Sequence, residues 1–83
     1  MSETSADVRL LLERITKSLV EAPDEVFVEQ VEEEGETVLE LEVAENDMGR
    51  VIGKHGRTAR ALRCWLSAVG IRSQQRFGLE ILE

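Results

Sequence analysis

Along residues 5–21 the apolar positions Val8, Leu11, Leu12, Ile15 and Leu19 recur at the spacing of one helical face, while Arg9, Glu13, Arg14 and Lys17 fall elsewhere. This periodicity predicts an amphipathic helix. Thr4 is placed to cap its first turn, with Asp7 three residues on as the acid of a capping box. Pro23 is expected to stop it, because the residue before a proline is pushed out of the α region. Val26 to Glu32 is strand-like, although the run Val26-Phe27-Val28 leaves open which face turns inward. Glu33-Glu34-Gly35-Glu36 reads as a turn, with glycine where a positive φ is needed. Val38 to Val43 then alternates, with Leu39, Leu41 and Val43 on one side and Glu40 and Glu42 on the other, completing a hairpin.

Asn46 or Asp47 can cap a short helix that ends at Ile52. A second helix runs from Arg57 to about Val69 and is closed by Gly70. Its buried stripe is Ala59, Leu62, Leu66 and Val69, and Arg57, Arg60, Arg63, Cys64 and Ser67 take the opposite arc. Residues 71–75 form a polar connection to a last strand, Arg76 to Leu82, which points Phe77, Leu79 and Ile81 to one side. The order is α-β-β-α-α-β. Returning from the second strand to the third through two helices is a crossover, which favours parallel pairing. The expected fold is therefore α+β: a three-stranded mixed sheet with three helices on one face, and the strand glutamates on the open face.

Eighty-three residues leave room for one core, so residues 1–83 are read as a single domain. Such a chain has a net stability of roughly a few kcal/mol, and self-association would be a natural way to add burial. The longest apolar runs are three residues, far below the ~18 of a membrane span. Met1-Ser2-Glu3-Thr4 lacks the basic start and apolar stretch of a secretory signal. Cys64 is the only cysteine, which excludes an intrachain disulfide. Cytoplasm is the expected location.

A net charge of −7 argues at first against a polyanionic partner, but the distribution reverses that impression. Residues 1–49 hold three basic and fifteen acidic side chains; residues 50–76 hold seven basic ones and no acid. A positive face on a negative body is implied, and the local field is what a phosphate chain would meet. The acidic body would also weaken indiscriminate binding.

Within the basic segment, Gly53-Lys54-His55-Gly56 sits between the two short helices. Glycines at both ends of a tight turn let the backbone approach a ligand closely. The next helix directs unpaired N–H groups to the same place, and Lys54, Arg57 and Arg50 add full charges. Phosphate suits this arrangement best. A Walker A loop fails on spacing: three residues, not four, separate Gly49 from Gly53, and His55 follows the lysine. A dinucleotide fingerprint also fails, because the glycines here follow a helix start rather than a strand.

The stretch Asp47-Met48-Gly49-Arg50-Val51-Ile52-Gly53-Lys54-His55-Gly56-Arg57 resembles the Val-Ile-Gly-Lys-x-Gly-Arg core of K-homology (KH) domains. The element order is similar to the type II arrangement, with a β-α-α-β core at about 37–83 and an N-terminal α-β extension at about 5–32. Lys17-Ser18-Leu19-Val20, Pro23-Asp24-Glu25-Val26 and Leu79-Glu80-Ile81 resemble the small bacterial stand-alone KH proteins of the KhpA group. The resemblance implies a binder of single-stranded RNA that forms homodimers or pairs with a second KH protein. It implies that about four nucleotides lie in a groove with their phosphates against Gly53, Lys54, His55 and Gly56. Val51 and Ile52 are expected to floor that groove, and inward positions of the strand Val38 to Val43 to line its other side. The chain has no Tyr, and its aromatics are Phe27, Phe77 and Trp65, which argues against an aromatic stacking platform. Cys64-Trp65 is bulkier than expected for this group in that helix.

Arg57 is expected to touch phosphate; for Arg60 and Arg63, phosphate contact and a merely solvated face are both open. His55, the only histidine, has no partner for a metal site or catalytic pair and reads as a turn residue or hydrogen-bond donor. Trp65 suits core packing or a dimer contact, and Cys64 a simple thiol. No nucleophile–base set, carboxylate pair or metal cluster is evident, and no cofactor is implied. The expected function is a non-catalytic single-stranded RNA binder, an RNA chaperone or post-transcriptional regulator. The alternative is an interaction module acting mainly through homodimerisation or pairing with a second KH protein.

Overall fold

The computed structural model describes residues 3–83. Helix α1 spans Glu3–Leu19, strand β1 Phe27–Glu33, β2 Glu36–Glu42, helix α2 Met48–Ile52, helix α3 Arg57–Ser73 and strand β3 Phe77–Ile81. Short 3₁₀ turns at Pro23–Glu25, Glu45–Asp47 and Lys54–Gly56 join them. This is the expected α-β-β-α-α-β order. Strand β2 is central, antiparallel to β1 and parallel to β3, so the sheet is mixed.

The hairpin closes through Glu34 and Gly35, both at positive φ, with Glu33 paired to Glu36. That two-residue turn matches the twist of the strands it joins. Register settles the ambiguous face of β1: Val28 pairs with Leu41 on the inner side, and Phe27 pairs with Glu42 on the outer side, 55% exposed. The inner face, with Leu39, Leu41 and Phe77, packs against Val8 and Leu12 of α1, Val51 of α2 and Leu62 and Leu66 of α3. Trp65 is half-buried against this core, and Cys64 is exposed. Most strand glutamates lie on the open face, as expected. Glu32 departs from that pattern, because its register places it opposite buried Thr37, whose hydroxyl donates to its carboxylate at 2.9 Å.

Three boundaries differ from expectation for physical reasons. Thr4 already lies inside α1 and does not cap it, since a cap needs non-helical backbone. The buried stripe of α1 also turns slightly, so that Ser5, Val8, Leu12 and Thr16 face inward while Leu11 and Leu19 are exposed. Gly70 does not close α3. It is buried inside the helix, where a Cβ would stand 2.6 Å from the Gln75 carbonyl oxygen. Gln74 instead adopts the left-handed conformation at the helix end, and the Gln75 N–H returns to the Gly70 carbonyl at 2.8 Å.

The third difference concerns Asp47. It occupies the N-cap position of α2 but makes no cap bond there. Its carboxylate is buried (2% exposed) and accepts the backbone N–H groups of Glu21 at 3.0 Å and Ala22 at 3.1 Å. In a continued α1 those amides would bond to carbonyls one turn back, so Asp47 helps end α1 at Leu19, ahead of Pro23. Arg50 sits beside this carboxylate, with Nε 3.4 Å from Oδ1, and its Nη2 pairs with Glu21. Asp47→Ala should cost about 1.5–3 kcal/mol, with Asp47→Asn intermediate, because two buried amides lose a charged acceptor. Urea unfolding checks this: the midpoint should fall with the slope unchanged.

Candidate nucleic-acid interface

Between α2 and α3 the chain reverses through three positive φ angles, at Gly53 (81°), His55 (58°) and Gly56 (75°). The Gly53 N–H closes α2 on the Gly49 carbonyl at 2.8 Å, and the Gly56 N–H bonds to the Gly53 carbonyl at 3.0 Å. The two glycines serve different ends. A Cβ on Gly53 would stand 2.3 Å from Thr58 Oγ1 and 2.7 Å from the Thr58 nitrogen, so glycine is required for the turn to pack on α3. A Cβ on Gly56 would meet nothing within 4 Å. The space there is open to a ligand. His55 carries the left-handed conformation without a glycine's freedom, an uncommon state that histidine tolerates better than most residues.

Helix α3 begins at Arg57 with no side-chain cap and no acid in its first turn. Its positive end is therefore uncompensated. Lys54, His55, Arg57, Arg60 and Arg63 are all exposed around it, and none joins an ion pair among the described residues. Arg50, expected to add charge at the turn, is instead tied to Glu21 and Asp47 behind α2, although half its side chain remains exposed.

A cleft of about 820 Å³ adjoins the turn at the C-terminal ends of the parallel strands β2 and β3, and a second continues from it. Met48 and Ile52 line both, four residues apart on one face of α2. Toward α3 the wall is Gly56, Ala59, Arg60 and Arg63. Away from it, Val43 and Leu82 extend the apolar floor, rimmed by Glu42, Glu45 and Glu83. Ile52 lines this cleft, 39% exposed. Val51 does not. It is fully buried, because neighbours on a helix point about 100° apart and cannot share the cleft. Of the strands, β2 borders the cleft with Glu42 and the following Val43, one of the inward positions expected there, and β3 with Ile81 and the following Leu82 and Glu83. Parallel pairing sets the ends of these two strands side by side. Met48 was legible as the residue four before Ile52; Ile81, Leu82 and the rim carboxylates come together only in three dimensions.

The described residues contain no group of three or more acidic, histidine or cysteine side chains placed to hold a metal ion. No helix among them is long and apolar enough to cross a membrane.

Residues 9–81 match the family model described as KhpA/KhpB, KH domain. The chain is 48% identical over 75 residues to the RNA-binding protein KhpA of Clostridium acetobutylicum, covering 90% of this chain and all of that relative. It is 51% identical over 73 residues to RNA-binding protein KhpA of Treponema pallidum, covering 88% of this chain and 91% of the relative. Against RNA-binding protein KhpA of Aquifex aeolicus the identity is 47% over 73 residues, covering 88% and 92%. No solved structure matches significantly.

The unequal glycines make a test of the turn. Gly53→Ala must both hold a positive φ and displace Thr58, whereas Gly56→Ala bears only the backbone cost of about 1–2 kcal/mol. Thermal unfolding should therefore show Gly53→Ala clearly less stable than Gly56→Ala; equal losses would remove the distinction.

Proposed function

This chain belongs to the KhpA/KhpB KH-domain family, and from that premise we infer that it is a non-catalytic binder of single-stranded RNA, acting in the cytoplasm as an RNA chaperone or post-transcriptional regulator. One observation carries the reading: an open glycine turn, ringed by basic side chains that join no ion pair among the described residues, at an uncapped helix N-terminus, stands beside a cleft floored by Met48 and Ile52. Phosphates would rest against Gly53, Lys54, His55 and Gly56, with Arg57 and Arg60 as further charges. Bases would lie over Met48 and Ile52. The relatives quoted above carry the name RNA-binding protein, and none is named as an enzyme.

Lys54→Asp combined with His55→Asp should leave stability nearly unchanged, since both side chains are exposed and neither joins an ion pair among the described residues. Affinity for a short single-stranded RNA should fall at least about tenfold as one charge reverses and a second negative charge is added beside the phosphates. The salt dependence is a second readout. For three or four phosphate contacts, log K against log salt should slope at about −2 to −3 in the native protein and less steeply, by about 1, in the variant. A folded variant with undiminished affinity would overturn the turn as the phosphate clamp.

A second reading, pairing with another copy or with a second KH protein, is favoured by exposed apolar side chains outside the cleft. Ile71 on α3 is 81% exposed, and Leu10, Leu11 and Leu19 of α1 are also uncovered. Trp65 is less available, being packed against the core. Sedimentation with and without RNA is expected to show a dimer, with Ile71→Glu shifting it toward monomer. A strict monomer that binds RNA would remove this reading.

A further inference from the structure

We propose that the free edge of strand β1 is a self-association seam, where a second copy of this chain adds its own β1 antiparallel to form one six-stranded sheet. The inference rests on the pairing reading above and deepens it by naming a surface separate from Ile71 of α3. The order β1-β2-β3 leaves one side of β1 without a neighbouring strand. Which backbone groups face that side follows from the opposite edge of the sheet. Thr37 donates its N–H to the Arg76 carbonyl, and the Leu41 carbonyl accepts from Leu82, so Thr37, Leu39 and Leu41 turn their backbone groups toward β3. The alternate residues of β2 therefore turn theirs toward β1, where they bond to Phe27, Glu29, Val31 and Glu33. The N–H and C=O groups of Val28, Gln30 and Glu32 are left along the free edge, a template for a further strand.

Three features of that edge fit a second copy. Gln30 is the midpoint of the strand, and a twofold axis there sets Gln30 opposite Gln30, Val28 opposite Glu32 and Phe27 opposite Glu33. Glu29 then meets Val31, so no glutamate stands directly opposite another. Sliding the copy by two residues, the smallest step that keeps the edge groups aligned, sets Glu29 against Glu29 in one direction and against Glu33 in the other. The charges thus select the register in which all of β1 overlaps. Second, Nε2 of Gln30 is buried and has no hydrogen-bond partner. Two Gln30 side chains facing one another across the axis supply each amide with the acceptor it lacks. Third, Arg9 of α1 reaches this edge, donating to the Val28 carbonyl at 3.5 Å, with Glu13 of its own helix 4.0 Å away. Glu32, one of whose oxygens takes the Thr37 hydroxyl, is exposed and joins no ion pair among the described residues. In the paired strands Val28 and the partner's Glu32 project to the same helix-bearing side, so Arg9 meets that carboxylate, and symmetry makes the contact twice. The Val28 carbonyl can keep Arg9 while accepting the strand bond, because its oxygen has two lone pairs.

The test is sedimentation velocity across a concentration series, on protein that carries Ile71→Glu so that the contact through α3 is removed. This protein should still pass from monomer to dimer as its concentration rises. Adding Arg9→Glu sets like charges against each other twice at the seam, as does adding Glu32→Arg instead, and each protein alone should stay monomeric. An equal mixture of the two should dimerise, because every pair across the seam is again opposite in charge; misfolded variants would show no such recovery. Gln30→Pro removes the N–H groups at the centre of the seam, at an edge position where a strand accepts proline, and should weaken the dimer at least about tenfold. If the native protein dimerises while Ile71→Glu alone is monomeric throughout, the seam is overturned and the pairing reading stands. A dimer indifferent to the charge changes, or a mixture no more associated than its parts, overturns the seam as well. A native protein that is monomeric throughout removes both.

Discussion

The buried carboxylate of Asp47 holds the end of one helix to the beginning of another, and the position of the glycine turn depends on it. Helix α2 has five residues and could not persist alone, because so short a segment does not recover the cost of nucleating a helix. It is held by Val51 in the core, by the sequence-adjacent turn, and by Asp47 bonded to the amides of Glu21 and Ala22. The N-terminal extension therefore fixes from behind the helix whose other end leads into Gly53. Arg50 follows from the same arrangement. Beside Asp47 and Glu21 it balances a buried charge, and that role draws it away from the groove.

Charge is sorted across the molecule with similar economy. Glu29, Glu40 and Glu80 stand opposite one another across all three strands of the open face. Neighbouring strands lie only about 4.8 Å apart, and like charges so placed oppose sheet formation. The chain tolerates this on a solvated surface, where water and salt screen the repulsion. The result is a polyanion-repelling face behind a polyanion-attracting turn, so the net charge of −7 describes neither side.

Element order, the hairpin and the inner stripe of α3 were legible because each depends on short-range periodicity and turn chemistry. The cationic turn was legible for the same reason: its glycines, lysine and first helical arginine are contiguous. The misreadings share a different cause. Gly70 has the sequence appearance of a helix stop, yet its missing side chain admits the Gln75 carbonyl from a returning loop. Val51 and Ile52 are equally apolar, and only the rotation of a short helix separates a core residue from a groove residue. Ser5 and Thr16 displaced Leu11 and Leu19 from the buried line because α1 settles on β1 by fit, with small polar residues accepted where the helix approaches closely. The Asp47 bonds span more than twenty residues, beyond any local pattern.

The groove unites parts with different origins in the chain. Its cationic turn and half of its apolar lining come from one run, Met48 to Arg63, built as two helices around a turn. Its acidic rim comes from the ends of strands and from the 3₁₀ turn after β2, brought there because parallel pairing sets the last residues of β2 and β3 side by side. Glycine is required at Gly53 for the turn to pack on Thr58, whereas Gly56 opens onto free space. The rim glutamates are exposed. The geometry of the turn is thus set by local packing, while the acidic rim depends on the register of strands distant in sequence.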